Sequence, residues 1–214
     1  MLRVAAPAAG RRAPRNAAAV LAGGFGVLIL AGTAMLALPI ASIDGRWTPL
    51  GDALFTATSA ACVTGLVVLD TGTYWSTFGQ AVLLLLMQLG GLGFMTGSTV
   101  ALFLLRRQVT LRDRLVLQEE VGSGLGSALG LARRVVAFTL AAEALGAAVL
   151  TVRFLREWPL PKALWWGVFH AVAAFNNAGF DLVGNFRSFT PYATDATVLL
   201  PLCGLVVLGG LSYA

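Results

Sequence analysis

Two four-residue stretches of this 214-residue chain end in glycine and hold no ionised side chain: Cys62-Val63-Thr64-Gly65 and Asn176-Asn177-Ala178-Gly179. The chemistry open to them is therefore that of the peptide group. Backbone carbonyls grouped around one axis can replace the water shell of a cation. Glycine permits the backbone angles that turning them inward requires. The expectation is that Val63, Thr64 and Gly65, with Asn177, Ala178 and Gly179, offer carbonyl oxygens to a dehydrated ion. The side chains of Asn176 and Asn177 are expected to brace their loop by hydrogen bonds. Cys62 and Thr64 are expected to pack and brace the other. Asp70 and Asp181, just past the glycines, read as turn or capping residues.

Loops of this kind need elements that carry them into a membrane and out again. Residues 55–74, FTATSAACVTGLVVLDTGTY, are apolar at first and polar at the end, and are too short to cross a bilayer. They lie between longer apolar runs, which fits a re-entrant segment. Non-helical backbone at membrane depth survives only where protein buries it or water lines it. A short helix entering from one side would point its C-terminal end, with about half a negative charge, at the bilayer centre, where a cation is favoured.

Composition agrees with a membrane setting. Hydrophobic residues make up 57% of the chain and charged residues 12%, with a mean hydropathy of +0.81. A soluble domain carries about twice that charged share. The net charge of +5 does not imply nucleic acid, because the basic residues sit between apolar runs without interleaved aromatics. Cys62 and Cys203 are the only cysteines, and His170 the only histidine, so neither a disulfide framework nor a zinc site is expected.

In order, residues 1–16 are a basic tail, with Asn16 placed to cap the first helix. Residues 17–38 carry no charge and would make roughly 33 Å of helix, enough to span. A signal peptide is the rival reading, but the apolar run is longer than a usual h-region and further apolar runs come after it. A short helix is expected over 50–62, and a long apolar helix over 76–105 with Gly90, Gly91, Gly93 and Gly97 in its middle. Gly93 and Gly97 have the spacing that lets membrane helices touch closely. Residues 106–134 form a charged amphipathic linker in which Arg112, Asp113 and Arg114, together with Glu119 and Glu120, can make oppositely charged helix-face pairs. A third span is expected over 135–155, with Glu143 near its centre as a structural hydrogen-bonding group or part of an ion path. The remainder reads as a loop over 156–162, a second short helix over 163–175, the second glycine loop and a fourth span from 195. Glu143 and His170 make a weak case for an enzyme, with no second intramembrane acid and no ligand cluster.

The chain repeats itself. With Gly65 set over Gly179, Phe55 meets Phe169, Ala57 meets Ala171, Ala60 meets Ala174 and Leu66 meets Phe180. Farther on, Gly90-Gly91-Leu92-Gly93-Phe94 matches Gly209-Gly210-Leu211-Ser212-Tyr213, with five residues inserted after the second loop. The fold class expected is all-α integral membrane, built from tandem span–pore helix–filter loop–span repeats of potassium-channel type. Two repeats are present: 17–105 and 135–214, the last span truncated. Ten basic residues lie in residues 1–16 and 106–134, against five on the other side (Arg46, Arg153, Arg156, Lys162 and Arg187). That asymmetry puts the N-terminus and the linker in the cytoplasm and brings both loops in from outside.

The stretch TSAACVTGLVVLDTGTYWSTFGQAVLLLLMQLGGLGFMT resembles the first filter and following helix of the Trk/Ktr/HKT potassium transporters, and FNNAGFDL resembles their second filter loop. The resemblance runs from about residue 20 to 214 and implies potassium uptake through a pore of four repeats, each giving one filter glycine. It implies a K+ path, with Na+ less strictly excluded, along the carbonyls of Val63, Thr64, Gly65, Asn177, Ala178 and Gly179, with Cys62 and Asn176 in support. It further implies a bacterial-type plasma membrane location, a homodimer and a cytoplasmic nucleotide-binding regulatory subunit. Only two repeats stand in this chain, so it is expected to be a fragment that does not conduct alone. Pairing of two copies, and a non-conducting scaffold, are the competing readings.

Overall fold

The computed structural model describes residues 15–106 and 125–211. Most of the basic tail, the pairing of Arg112, Asp113 and Arg114 with Glu119 and Glu120, and the match at Ser212-Tyr213 lie outside the described residues. Six α-helices are present there: α1 (Arg15–Ala37), α2 (Leu50–Ala61), α3 (Thr77–Arg106), α4 (Leu125–Phe154), α5 (Leu160–Phe175) and α6 (Ala196–Gly210). Asn16 falls inside α1 rather than at its N-cap. The order long helix, shorter helix, glycine loop, apolar helix occurs twice.

Two helices start earlier than hydrophobicity suggests. α4 begins at Leu125, within the Gly/Ser stretch. A glycine in a helix costs about 1 kcal/mol relative to alanine, and the alanines and leucines around these glycines offset it. α5 begins at Leu160 and takes Pro161 into its first turn, where the missing N–H has no helical partner to lose.

α2 buries Ala53, Thr56, Ala57 and Ala60, spaced to form one stripe of small residues. α5 is bulkier, burying Trp166, Phe169, His170 and Phe175. α2 packs on α1 and α3, and α5 on α4 and α6. The outer faces of α1, α4 and α6 expose Leu30, Leu145 and Leu200. Among the described residues one helical segment, Arg133–Phe154, is long and apolar enough to cross a bilayer; Ala22–Ala37, Thr77–Gly93 and Ala196–Gly210 are shorter apolar stretches.

Polar contacts close the loop-bearing end. Ile43 N–H donates to the Tyr74 carbonyl (2.9 Å) and Ser76 N–H to the Ala41 carbonyl (2.8 Å), joining the end of α1 to the start of α3. Across the two halves, Trp165 Nε1 donates to Gln80 Oε1 at 2.7 Å. Arg153, at the end of α4, reaches Asp195 at the N-cap of α6 (2.6 Å) and Glu157 (2.7 Å).

The Tyr192 hydroxyl donates to Glu157 Oε2 at 2.7 Å. That bond, and then Arg153, hold the Glu157 carboxyl below its ordinary 4.5, while burial and Glu157 together push Tyr192 up to about 12. Because the folded value for Glu157 lies below the unfolded one, its contribution to stability is complete above about pH 4.5. It is lost as the pH falls through the folded value. The Glu157 side chain is 34% exposed, so the contribution is below about 1 kcal/mol. The melting temperature is expected to hold between neutral pH and pH 5 and to fall below about 4.5. In Glu157→Gln the acid limb is expected to be shallower, and an unchanged limb would show that Glu157 contributes nothing to it.

Candidate functional site

Each short helix ends in the same way. Val63 N–H donates to the Ala60 carbonyl (3.2 Å) and Thr64 N–H to the Ser59 carbonyl (2.9 Å). In the second half Asn177 N–H donates to Ala174 (3.0 Å) and Ala178 N–H to Ala173 (2.8 Å). These are the paired bonds of a Schellman motif, with a left-handed residue one place beyond the C-cap. That residue is Val63 (φ 50°) in one loop and Asn177 (φ 56°) in the other, and Gly65 and Gly179 both come two places later at φ 73°. Asparagine enters the left-handed region readily, whereas a β-branched valine there is strained. These backbone bonds of the first loop thus recur 114 positions later, the register of Gly65 on Gly179.

The two loops meet at their glycines. A Cβ built on Gly65 would stand 2.7 Å from the Ala178 carbonyl oxygen and 2.9 Å from Gly179 Cα. Val63 and Gly65 are half-buried, Ala178 is buried, and Thr64, Asn177 and Gly179 are exposed. Cys62 is the C-cap of α2 and takes part through its N–H, which donates to the Thr58 carbonyl; its thiol is exposed. Thr64 braces its loop, its hydroxyl lying within hydrogen-bond reach of the Ser59 carbonyl (3.2 Å) and hydroxyl (3.0 Å). The Asn177 amide donates to the Val206 carbonyl of α6 at 3.2 Å.

Glycines on the long helices seat the ends of the short ones. A Cβ on Gly90 would overlap the Ala61 carbonyl oxygen, and one on Gly209 would overlap that of Phe175, again 114 positions on from Ala61. A Cβ on Gly91 would overlap Asn176 Oδ1. Gly93, expected to permit close helix contact, instead faces the Phe25 ring, which its Cβ would meet at an ordinary 3.7 Å. The space around Gly97 lies outside the described residues.

The second loop has a polar backing. Asn176 is buried, and its Nδ2 lies 3.1 Å from Gln88 Oε1 on α3, 3.1 Å from Glu143 Oε1 on α4 and 3.0 Å from the Val172 carbonyl. Glu143 therefore acts as a hydrogen-bonding group. The part played by Gln88 is not apparent from the sequence. Its signal there is an amide in the middle of an apolar run, but nothing local says which residue it meets. On the exit side, His170 Nε2 accepts from Leu182 N–H at 3.0 Å. Phe154, Trp166, Phe169 and Phe189 surround the His170 ring.

The exits are turns, and one joins the halves. Asp70 Oδ1 accepts from the N–H (2.8 Å) and hydroxyl (2.7 Å) of Thr73, and Oδ2 accepts from Phe186 N–H at 2.6 Å. Asp181 accepts from Val183 N–H (2.9 Å) and the Ser188 hydroxyl (3.2 Å), and burial pushes its carboxyl upward. A cavity of about 340 Å³ opens beside the second loop, lined by Asn177, Gly179, Asp181 and Val206 among others.

Residues 24–214 match the TrkH family, described as a cation transport protein. The chain is 36% identical over 195 residues to the potassium/sodium uptake protein NtpJ of Enterococcus hirae, covering 91% of this chain and 43% of that protein. It is 39% identical over 197 residues to the Ktr system potassium uptake protein B of Bacillus subtilis, again 91% of this chain and 43% of the relative. The protein of the same name from Vibrio alginolyticus is 39% identical over 187 residues, 87% of this chain and 40% of the relative. The chain thus spans about two fifths of the length of these relatives.

Proposed function

From a chain that belongs to the TrkH family of cation transport proteins, we propose that residues 62–65 and 176–179 are two filter loops of a potassium path across the plasma membrane, with sodium as the less favoured ion. In this reading α1 to α3 and α4 to α6 are two span–pore helix–filter loop–span repeats, with boundaries near 17–105 and 135–214, supplying half of a four-repeat pore. The carbonyls of Val63, Thr64, Gly65, Asn177, Ala178 and Gly179 take the place of water around the ion. The carbonyl ends of α2 and α5, which lead into these loops, add a partial negative charge.

The observation that carries the reading is the shared backbone geometry of the two loops. Left-handed residues occupy the same two positions in each, and the loops meet at Gly65 and Gly179. A loop shaped only by its local sequence would not need this match, since Val63 and Asn177 have different side chains and unequal tolerance for a positive φ. Names of relatives support the ion, being those of potassium or potassium/sodium uptake proteins. The same reading places the N-terminus in the cytoplasm, the apolar outer faces of α1, α4 and α6 against lipid, and the whole as a homodimer with a nucleotide-binding regulatory partner on the cytoplasmic side.

Expression in a bacterial host that lacks potassium uptake tests the proposal. The chain is expressed alone, and also joined in one polypeptide to the part of the Bacillus subtilis relative that it does not cover. The joined protein is expected to restore growth at low potassium. Growth with the chain alone would point to pairing of two copies. A joined protein that reaches the membrane and raises neither potassium nor sodium uptake would count against the reading.

A further inference from the structure

The two glycine loops share a backbone but not a backing. Behind the second, the buried Asn176 amide stands between Glu143 of α4 and Gln88 of α3, at 3.1 Å from each. In the 114-residue register Cys62 stands where Asn176 does, and its thiol is exposed. A polar bracket therefore holds the second loop, while the first is braced by the Thr64–Ser59 bonds.

We propose that Glu143 and Gln88 are positioning residues that set potassium-over-sodium discrimination by fixing Asn176, and through it the second loop. The inference rests on the reading of residues 176–179 as an ion-lining loop. Asn176 is the C-cap of α5, so its side chain is one bond from the backbone that starts the loop. Gln88 and Gly91 lie one turn apart on α3 and both face Asn176, the glycine making room for the amide. The bracket thus ties the loop to a helix of each half at once. Whether selectivity comes from the size of a carbonyl cage or from the field of its dipoles, a cage that can contract around a smaller ion discriminates less. Removing the bracket frees the second loop to contract, while the first loop keeps its own Thr64–Ser59 bonds.

The test measures potassium and sodium uptake into proteoliposomes by the transport-competent protein that carries these residues. Glu143→Leu is expected to lower the potassium-to-sodium uptake ratio about tenfold, in line with the loss of one buried hydrogen bond. Glu143→Gln, whose amide oxygen can still accept from Asn176, is expected to keep the ratio within about twofold. A ratio unchanged in Glu143→Leu, or lost equally in Glu143→Gln, overturns the inference. If Glu143→Leu fails to fold, Gln88→Leu decides: a fall of about threefold supports the bracket, and an unchanged ratio overturns it. Gly65→Ser, measured in parallel, separates the two levels. If it shifts the ratio while the Glu143 and Gln88 variants do not, the bracket alone is wrong. If no variant shifts it, the filter reading fails and the bracket with it.

Discussion

Gly65→Ser is expected to lower the potassium-to-sodium uptake ratio by about tenfold or more, with the protein still folded and in the membrane. Two effects combine at this position. Gly65 has φ 73°, a conformation that L side chains rarely adopt. Any Cβ there would also press on the other loop, at 2.7 Å from the Ala178 carbonyl oxygen and 2.9 Å from Gly179 Cα. Serine must therefore move both loops, and the carbonyls proposed to surround the ion move with them. Gly179 shares the φ value, and a Cβ there would stand 3.0 Å from Gly65 Cα, so Gly179→Ser is expected to act in the same direction. Competition of sodium against potassium uptake measures the ratio. A Gly65→Ser protein that transports with its discrimination intact would separate these glycines from ion selection.

The second large effect is on folding. Gly90→Val is expected to destabilise the protein by about 3 kcal/mol or more, which for a chain of this size corresponds to a fall in melting temperature of about 10 °C. The group that a Cβ on Gly90 would strike is the Ala61 carbonyl oxygen, part of the backbone at the end of α2. Backbone cannot rotate aside as a side chain can, so α2 and α3 must separate. Gly209→Val is expected to do the same in the second half, where the struck group is the Phe175 carbonyl. Gly24→Ala is the control, since a Cβ there would have nothing within 4 Å and the change is expected to stay within about 1 kcal/mol. Thermal unfolding of the detergent-purified protein compares them. Equal melting temperatures for the Gly90 and Gly24 variants would show that glycine at 90 is not needed for the contact.

These glycines look alike in the sequence and differ in the fold. Gly90, Gly91, Gly93 and Gly97 sit in one apolar run, and spacing alone draws attention to Gly93 and Gly97. Among Gly90, Gly91 and Gly93, packing places the tight contacts at Gly90, against the end of α2, and Gly91, against Asn176. Which face of α3 meets α2 and which meets α5 depends on how the helix is rotated in the bundle, and a glycine pattern does not specify rotation.

What this chain encodes locally is readable from residue order. The apolar runs, the two short helices, the glycine loops and their 114-residue register depend on near neighbours: side-chain volume, charge, and tolerance of a positive φ. The Schellman ending at Asn177 belongs here too, since asparagine enters the left-handed region readily; the one at Val63 does not, since a β-branched residue resists that conformation. The bracket on Asn176 does not, because its partners lie 88 and 33 positions away, and their meeting depends on the packing of α3, α4 and α5. The same holds for the Asp70 contact to Phe186, 116 positions apart, and for the Arg153 link to Asp195, 42 apart. A buried polar group must find a partner, which the sequence can require; which partner it finds is decided only when the helices pack.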